Sequence, residues 1–310
     1  MIDGMVVVDK PAGLTSHDVV ACCRKIFSQR KVGHAGTLDP DATGLLLVGL
    51  GCATRLLRYC TKLSKAYDAE VVCGVRTSTL DESGEVLGRW DMSEVGLDRA
   101  RAAAATLTGT IEQVPPMVSA LKVEGKRLHE LARAGIEIQR KARTVVVTRF
   151  DIEPAQIEPA QCREPRQPRA GVGPFGASGP VFSVHVECSS GTYVRSLAAD
   201  LGEKLGGGAY LRRLRRSRIG PWGLADAVPL DALGRSDVLA PVAALAGMEP
   251  VEVPEQLTSA VAHGQVLLRR QWNLEGEGPW PLVASDGRLL AVYEVYQRET
   301  AKPAVVLCGA

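Results

Sequence analysis

Rings are scarce in this chain: aromatic residues make up 5% of its 310 positions. Any surface that stacks on a flat ligand therefore has to rest on a few nameable Tyr, Phe or Trp residues. Eight cysteines are present, but no two have C-x-x-C spacing, which argues against a zinc site of the usual kind. No G-x-x-x-x-G-K-[ST] occurs, so a P-loop is unsupported. Gly49-Leu50-Gly51 begins like a dinucleotide fingerprint, but Thr54 stands where the third glycine belongs and no βαβ unit follows. His34, Asp39 and Asp41 share a loop without a further His-rich cluster, so no metal is expected. No run approaches the ~20 apolar residues of a bilayer span. The short apolar stretch Met5–Val8 stops at Asp9-Lys10, unlike a signal peptide. The expectation is a soluble cytoplasmic protein with reduced thiols and no membrane association.

Charge is present and unevenly placed. The formal net charge is only +2, yet residues 122–149 carry eight Lys/Arg against three acids, and 204–218 carry six basic residues and no acid. From 221 to the end the sign reverses, with six basic residues against eleven acids. A phosphate-facing surface would thus come from the middle of the chain. Arg outnumbers Lys 27 to 10, so arginine scattered over any solvated face is the competing explanation.

Periodicity predicts an irregular mixture of strands and helices, hence an α+β fold. Strands are expected at Met5–Val8, Leu45–Val48, Tyr67–Val75, Thr144–Ile152, Phe182–Cys188 and Ala304–Cys308, and helices after an N-cap at Ser16, over Leu97–Leu107, after Gly191 and over Leu257–Leu268. Leu282–Ala284 and Leu289–Tyr296 flank Asp286-Gly287 as a hairpin. Residues 153–180 are rich in Pro, Gly, Ala, Gln and Arg and read as a surface insertion. A break near 247–254 separates a large domain, 1–248, from a small module, 249–310.

The most informative segment is Gly33-His34-Ala35-Gly36-Thr37-Leu38-Asp39-Pro40-Asp41-Ala42-Thr43-Gly44. Its glycines allow backbone conformations and close approaches that side chains would block. Pro40 pushes Asp39 towards extended geometry, which fixes its direction. On composition alone a solvated Asp-Pro turn remains the simpler reading.

That segment resembles the nucleophile motif of the TruB family of bacterial tRNA pseudouridine synthases, and other matches follow in family order over about residues 5–222. They are Asp9-Lys10-Pro11-Ala12-Gly13-Leu14-Thr15-Ser16, Lys65-Ala66-Tyr67, Val114-Pro115-Pro116-Met117-Val118-Ser119-Ala120-Leu121-Lys122 continuing to Gly125-Lys126-Arg127, Ser190-Gly191-Thr192-Tyr193-Val194-Arg195, and Leu214-Arg215-Arg216-Ser217-Arg218. Three features depart from the pattern: the long 153–180 insertion, Tyr210 where the family usually has His, and a tail only loosely like the family's PUA-type module.

The resemblance implies a pseudouridine synthase fold with a mixed, largely antiparallel central sheet flanked by helices, a thumb-like RNA-gripping segment at about 114–143, and a small β-rich C-terminal domain. The implied reaction isomerises uridine 55, in the T loop of tRNA, by detaching the base at N1, turning it and rejoining it through C5. No cofactor is implied, and the partner is the tRNA T stem-loop, bound by a monomer without an obligatory protein partner. Asp39 is implied as the catalytic carboxylate. Three routes stay open: addition to the sugar C1′, addition to the base, or support of a glycal intermediate. Arg195 should pair with Asp39, Tyr67 should carry the extruded base, Tyr193 and Leu214 should complete the pocket, and His34 should fill the space the base leaves. Lys10, Lys122, Lys126, Arg127, Arg215 and Arg216 are phosphate-contact candidates by motif position. Deleting 249–310 is expected to reduce RNA affinity modestly. The competing functions are a non-catalytic RNA-binding or RNA-folding module, a dyskerin-like synthase that needs guide RNA and protein partners, and, third, a metal-dependent hydrolase using Asp39 and Asp41.

Overall fold

The computed structural model describes residues 1–118, 138–155 and 179–307, together with the backbone of 122–123 and 126–127. Half of the thumb segment and most of the insertion therefore lie outside the described residues, as do the side chains of Lys122, Lys126 and Arg127. The chain divides into two compact units, residues 1–63 with 218–310 and residues 64–217.

The first unit opens with strand β1 (Gly4–Lys10), longer than the four apolar residues that announce it. Helix α1 (Ser16–Ile26) follows. Its N-cap is Thr15, one residue earlier than expected. Thr15 and Asp18 form a reciprocal capping box in which the Asp18 backbone N–H donates to Thr15 Oγ1 and the Thr15 N–H donates to Asp18 Oδ2. The displaced Ser16 is free for another task, described below. Strands β2 (Val32–Ala35) and β3 (Thr43–Leu50) then form an antiparallel pair, with β1 on the other side of β3. The apolar run Leu45–Val48 is buried on both faces of this sheet, which is why it reads as continuous rather than alternating. Met5, Val7, Leu45 and Leu47 face one core, and Val6, Val8, Leu46 and Val48 face another against Val19, Val20 and Cys23 of α1. Strand β3 runs into a 3₁₀ turn, Gly51–Arg55, leading to the one-turn helix α2 (Leu57–Cys60).

The second unit contains β4 (Lys65–Cys73), the hairpin β5 (Val75–Thr77) and β6 (Val86–Arg89), helix α3 (Leu97–Ala105), β7 (Gly109–Gln113), the short pair β8 (Lys122–Val123) and β9 (Lys126–Arg127), β10 (Arg143–Pro154), β11 (Val181–Cys188), helix α4 (Val194–Lys204) and β12 (Ala209–Ile219), whose last two residues belong to the first unit. Its sheet runs β12-β4-β11-β10-β7. The β4–β11, β11–β10 and β10–β7 pairings are all antiparallel. Strand β11 buries Phe182, Val184, Val186 and Cys188 in strict alternation with half-buried neighbours, as its sequence pattern requires.

Returning to the first unit, β13 (Trp222–Gly223) pairs with the end of β12, and β14 (Val228–Pro229) lies parallel to β1. The remaining strands form a separate sheet, β15 (Val251–Glu252), β17 (Trp280–Val283), β18 (Leu289–Gln297), β19 (Thr300–Val306) and β16 (Leu267–Leu268), in that spatial order. The expected hairpin is β17–β18. The helix expected over Leu257–Leu268 is cut to α5 (Thr258–Ala262), because Gly264 turns the chain at φ 71° and Leu267–Leu268 pairs with β19 instead. The last strand is β19, which begins and ends earlier than the predicted Ala304–Cys308; Cys308 lies outside the described residues. The C-terminal sheet has its own core around Trp280, Leu282, Leu290 and Tyr293, while Val283, Leu289, Val292 and Val305 join Met5, Val7, Leu45 and Leu47 in the core of the N-terminal strands. The expected boundary at 248 thus falls inside one compact unit. Among the described residues no helix is long and apolar enough to cross a membrane.

Candidate active site

Asp39 occupies the link between β2 and β3. Two glycines at positive φ, Gly36 at 84° and Gly44 at 98°, give the link its turns. The residues on either side of Asp39 are fastened from outside. Leu38 donates its N–H to Ser16 Oγ (2.9 Å), and the same hydroxyl donates to the Leu38 carbonyl (3.3 Å). Pro40's carbonyl accepts from the Gly13 N–H (2.9 Å) and from Lys10 Nζ (2.8 Å). Behind Asp39, the Ala42 N–H returns to its carbonyl (3.2 Å). The result is a half-buried carboxylate on a short, tied backbone.

Lys10 departs from its expected role. Its side chain is wholly buried, and its ammonium donates to the carbonyls of Pro11 (2.9 Å), Leu14 (2.6 Å) and Pro40 (2.8 Å). An ammonium enclosed in this way does not meet a phosphate; it ties the Asp9–Thr15 turn to the Asp39 link. His34, on β2, is half-buried with its ring edge-on to His17 (5.4 Å between centroids).

Tyr67, Tyr193, Arg195, Leu214, Arg215 and Arg216 all lie in the second unit. Tyr67 sits on β4 opposite Val186 of β11 and is 8% exposed. Tyr193 is the N-cap residue of α4. Arg195, two residues on, is a charged side chain in the interior. Its guanidinium donates to the Thr79 carbonyl (2.9 Å), the Val118 carbonyl (2.8 Å) and Asp81 Oδ2 (3.2 Å). Asp81 is a residue that sequence reasoning missed. Its other oxygen accepts from the hydroxyls of Thr79 and Ser83 (2.6 Å each) and from the Ser83 N–H (3.0 Å). Leu80, just before it, has φ 62°, an uncommon conformation for a branched residue. The sequence Thr79-Leu80-Asp81-Glu82-Ser83-Gly84 looks like any polar turn, so nothing in it singles out Asp81 as a buried arginine's partner. Leu214 and Arg215 are half-buried. Arg216 is 1% exposed, so it cannot serve as the phosphate contact its motif position suggested.

The residues from 24 to 194 match the model of the TruB family pseudouridylate synthase N-terminal domain. A tRNA pseudouridine synthase B of Thermobifida fusca (strain YX) is 44% identical over 310 residues, covering 100% of both chains. The chain belongs to the TruB family.

A second relative, the tRNA pseudouridine synthase B of Corynebacterium aurimucosum, is 45% identical over 296 residues, covering 94% of this chain and 92% of that one. Among solved structures, an H/ACA RNP bound to a substrate RNA containing 2'-deoxyuridine superposes with TM-score 0.68 at 22% identity, covering 99% of this chain and 85% of that one, a likeness of fold. Tyr210, which departs from the family's usual His, is 3% exposed and packs with Val72 and Val75. Its hydroxyl's pKa is raised by burial and by the nearby Glu82. The ring takes a core position in this TruB chain.

Proposed function

We propose that this chain isomerises uridine 55 in the T loop of tRNA to pseudouridine, with Asp39 as the catalytic carboxylate. The observation that carries the reading is the bracketing of Asp39. With Leu38 and the Pro40 carbonyl both held by groups outside the link, the backbone that carries the carboxylate is fixed, and a fixed oxygen beside the glycosidic bond is what each of the three routes requires. The base must leave its stack to be reached, at roughly a few kcal/mol. Tyr67 is the platform for it; one aromatic stack returns about 1–3 kcal/mol. Tyr193, Leu214 and His34 contact the extruded nucleotide. Arg195 is a further residue of the proposed site, and Asp81 keeps its guanidinium charged and aimed. Lys122, Lys126, Arg127 and Arg215 contact the RNA backbone. The protein works as a cytoplasmic monomer, without metal or guide RNA, which separates it from dyskerin-like synthases.

The deciding experiment is mass mapping of pseudouridine in unmodified tRNA after incubation with the purified chain and with Asp39→Asn. Product at position 55 is expected from the wild type and none from Asp39→Asn, whose folding and tRNA affinity survive because the change is nearly isosteric. Tight binding without product from the wild type would favour the non-catalytic alternative. Substantial turnover by Asp39→Asn would remove residue 39 from its role.

A further inference from the structure

The first turn of α4 carries two residues of the proposed site but has no side-chain cap of its own. Its position is set from outside, by the segment that leaves β7. Gln113, 2% exposed at the end of β7, uses both ends of its amide on one residue: the Tyr193 N–H donates to Gln113 Oε1 (2.7 Å), and Gln113 Nε2 donates to the Tyr193 carbonyl (3.1 Å). The same carbonyl accepts the first helical N–H, from Leu197 (3.1 Å). Two further bonds run beside this pair, from Ser196 Oγ to the Val114 carbonyl (3.3 Å) and from Arg195 to the Val118 carbonyl (2.8 Å). A side-chain amide that satisfies the donor and acceptor of a single residue fixes that residue's peptide planes in two directions, and with them the exit vector of its side chain.

We infer that Gln113 is a positioning residue for the isomerisation: it sets Tyr193 and the helix start that bears Arg195, and acts on the substrate only through them. This rests on the proposed function. Gln113→Glu preserves length and the bond from the Tyr193 N–H, but replaces the donor facing the Tyr193 carbonyl with an acceptor.

The chain supplies its own control. Gln29 makes the same two-ended grip on Ile2, with the Ile2 N–H donating to Oε1 (2.8 Å) and Nε2 donating to the Ile2 carbonyl (3.0 Å), in the other compact unit. Gln29→Glu therefore imposes a like backbone perturbation outside the proposed site. Single-turnover pseudouridine formation and KM for tRNA would be measured for both variants, with thermal unfolding alongside. Gln113→Glu is expected to lower the rate by at least ~10-fold with KM unchanged, while Gln29→Glu stays close to wild type. In a Tyr193→Ala background the same Gln113 change should cost clearly less than in the wild type, since the ring it directs is gone and only the helix start bearing Arg195 is left for it to set. If the buried carboxylate prevents folding, Gln113→Met, similar in length and uncharged, takes its place. A rate loss no larger than that of Gln29→Glu, or one undiminished without the Tyr193 ring, overturns the inference. A wild type that makes no pseudouridine under these conditions instead overturns the proposed function.

Discussion

Lys10 spends its charge on three backbone carbonyls, and the consequence for the neighbouring link is measurable. Hydrogen bonds to a charged group are worth more than neutral ones, and carbonyls left unpaired in the interior carry a desolvation penalty. Lys10→Met keeps the apolar stem and removes the donors, so unfolding by urea should show a loss of about 2–4 kcal/mol. The rate of product formation should fall as well, because the Pro40 carbonyl next to Asp39 loses one of its two anchors. The slope of log affinity against log salt should not change, whereas losing a true phosphate contact would flatten it by about 0.7–0.9. A flattened slope would return Lys10 to the RNA surface. Residue identity did single out Lys10 and Asp39, because both lie in recognisable motifs. It could not show which lysine is enclosed, since enclosure depends on carbonyls up to thirty positions away.

Helix α4 begins with residues of the proposed site and carries a titrating acid in its middle. Burial raises the carboxyl of Asp200 to about 6, with the nearby Glu203 adding to the shift and Lys204 opposing it. The unfolded value is near 3.8, so the folded chain holds this proton more tightly. The resulting stability is present in full below about pH 4 and is lost as pH rises through about 6. Asp200→Asn removes that dependence. Its urea midpoint should exceed that of the wild type at pH 7.5, with the advantage shrinking as the buffer is taken down to pH 4. An equal gap at both pH values would mean the carboxyl is not perturbed in the fold. At this scale the sequence was largely legible. Strand β11 and helix α3 appear where alternation and alanine content put them, because local periodicity and burial agree there. The misjudged ends have local causes: Thr15 takes the cap because Ser16 is engaged with Leu38, and Gly264 stops α5. Asp81 stayed hidden because its partner is distant in sequence and its turn depends on the left-handed Leu80.

Sequence composition suggested that residues 249–310 could be removed with a modest loss of RNA affinity, and the arrangement of the cores changes that expectation. The C-terminal sheet has one core of its own, but Val283, Leu289, Val292 and Val305 are buried with Met5, Val7, Leu45 and Leu47. Those N-terminal residues lie on β1 and β3, and β3 also closes the Asp39 link. Ending the chain at 248 strips four aliphatic side chains from that core at once. Each fully buried Val or Leu contributes ~1.5–3 kcal/mol, so the loss is comparable with the whole stability of a typical domain. A chain of residues 1–248 should therefore show no cooperative thermal transition, or one lowered by tens of degrees, and should aggregate at concentrations where the full chain stays in solution. Its activity would then be lost through unfolding, with no information about RNA contacts. Substituting exposed residues of the C-terminal region, such as Arg270 and Lys302, is the better way to ask what that region contributes to binding, since neither supports the shared core. A 1–248 chain that melts cooperatively near the wild-type temperature would show that the N-terminal strands hold together without their C-terminal partners.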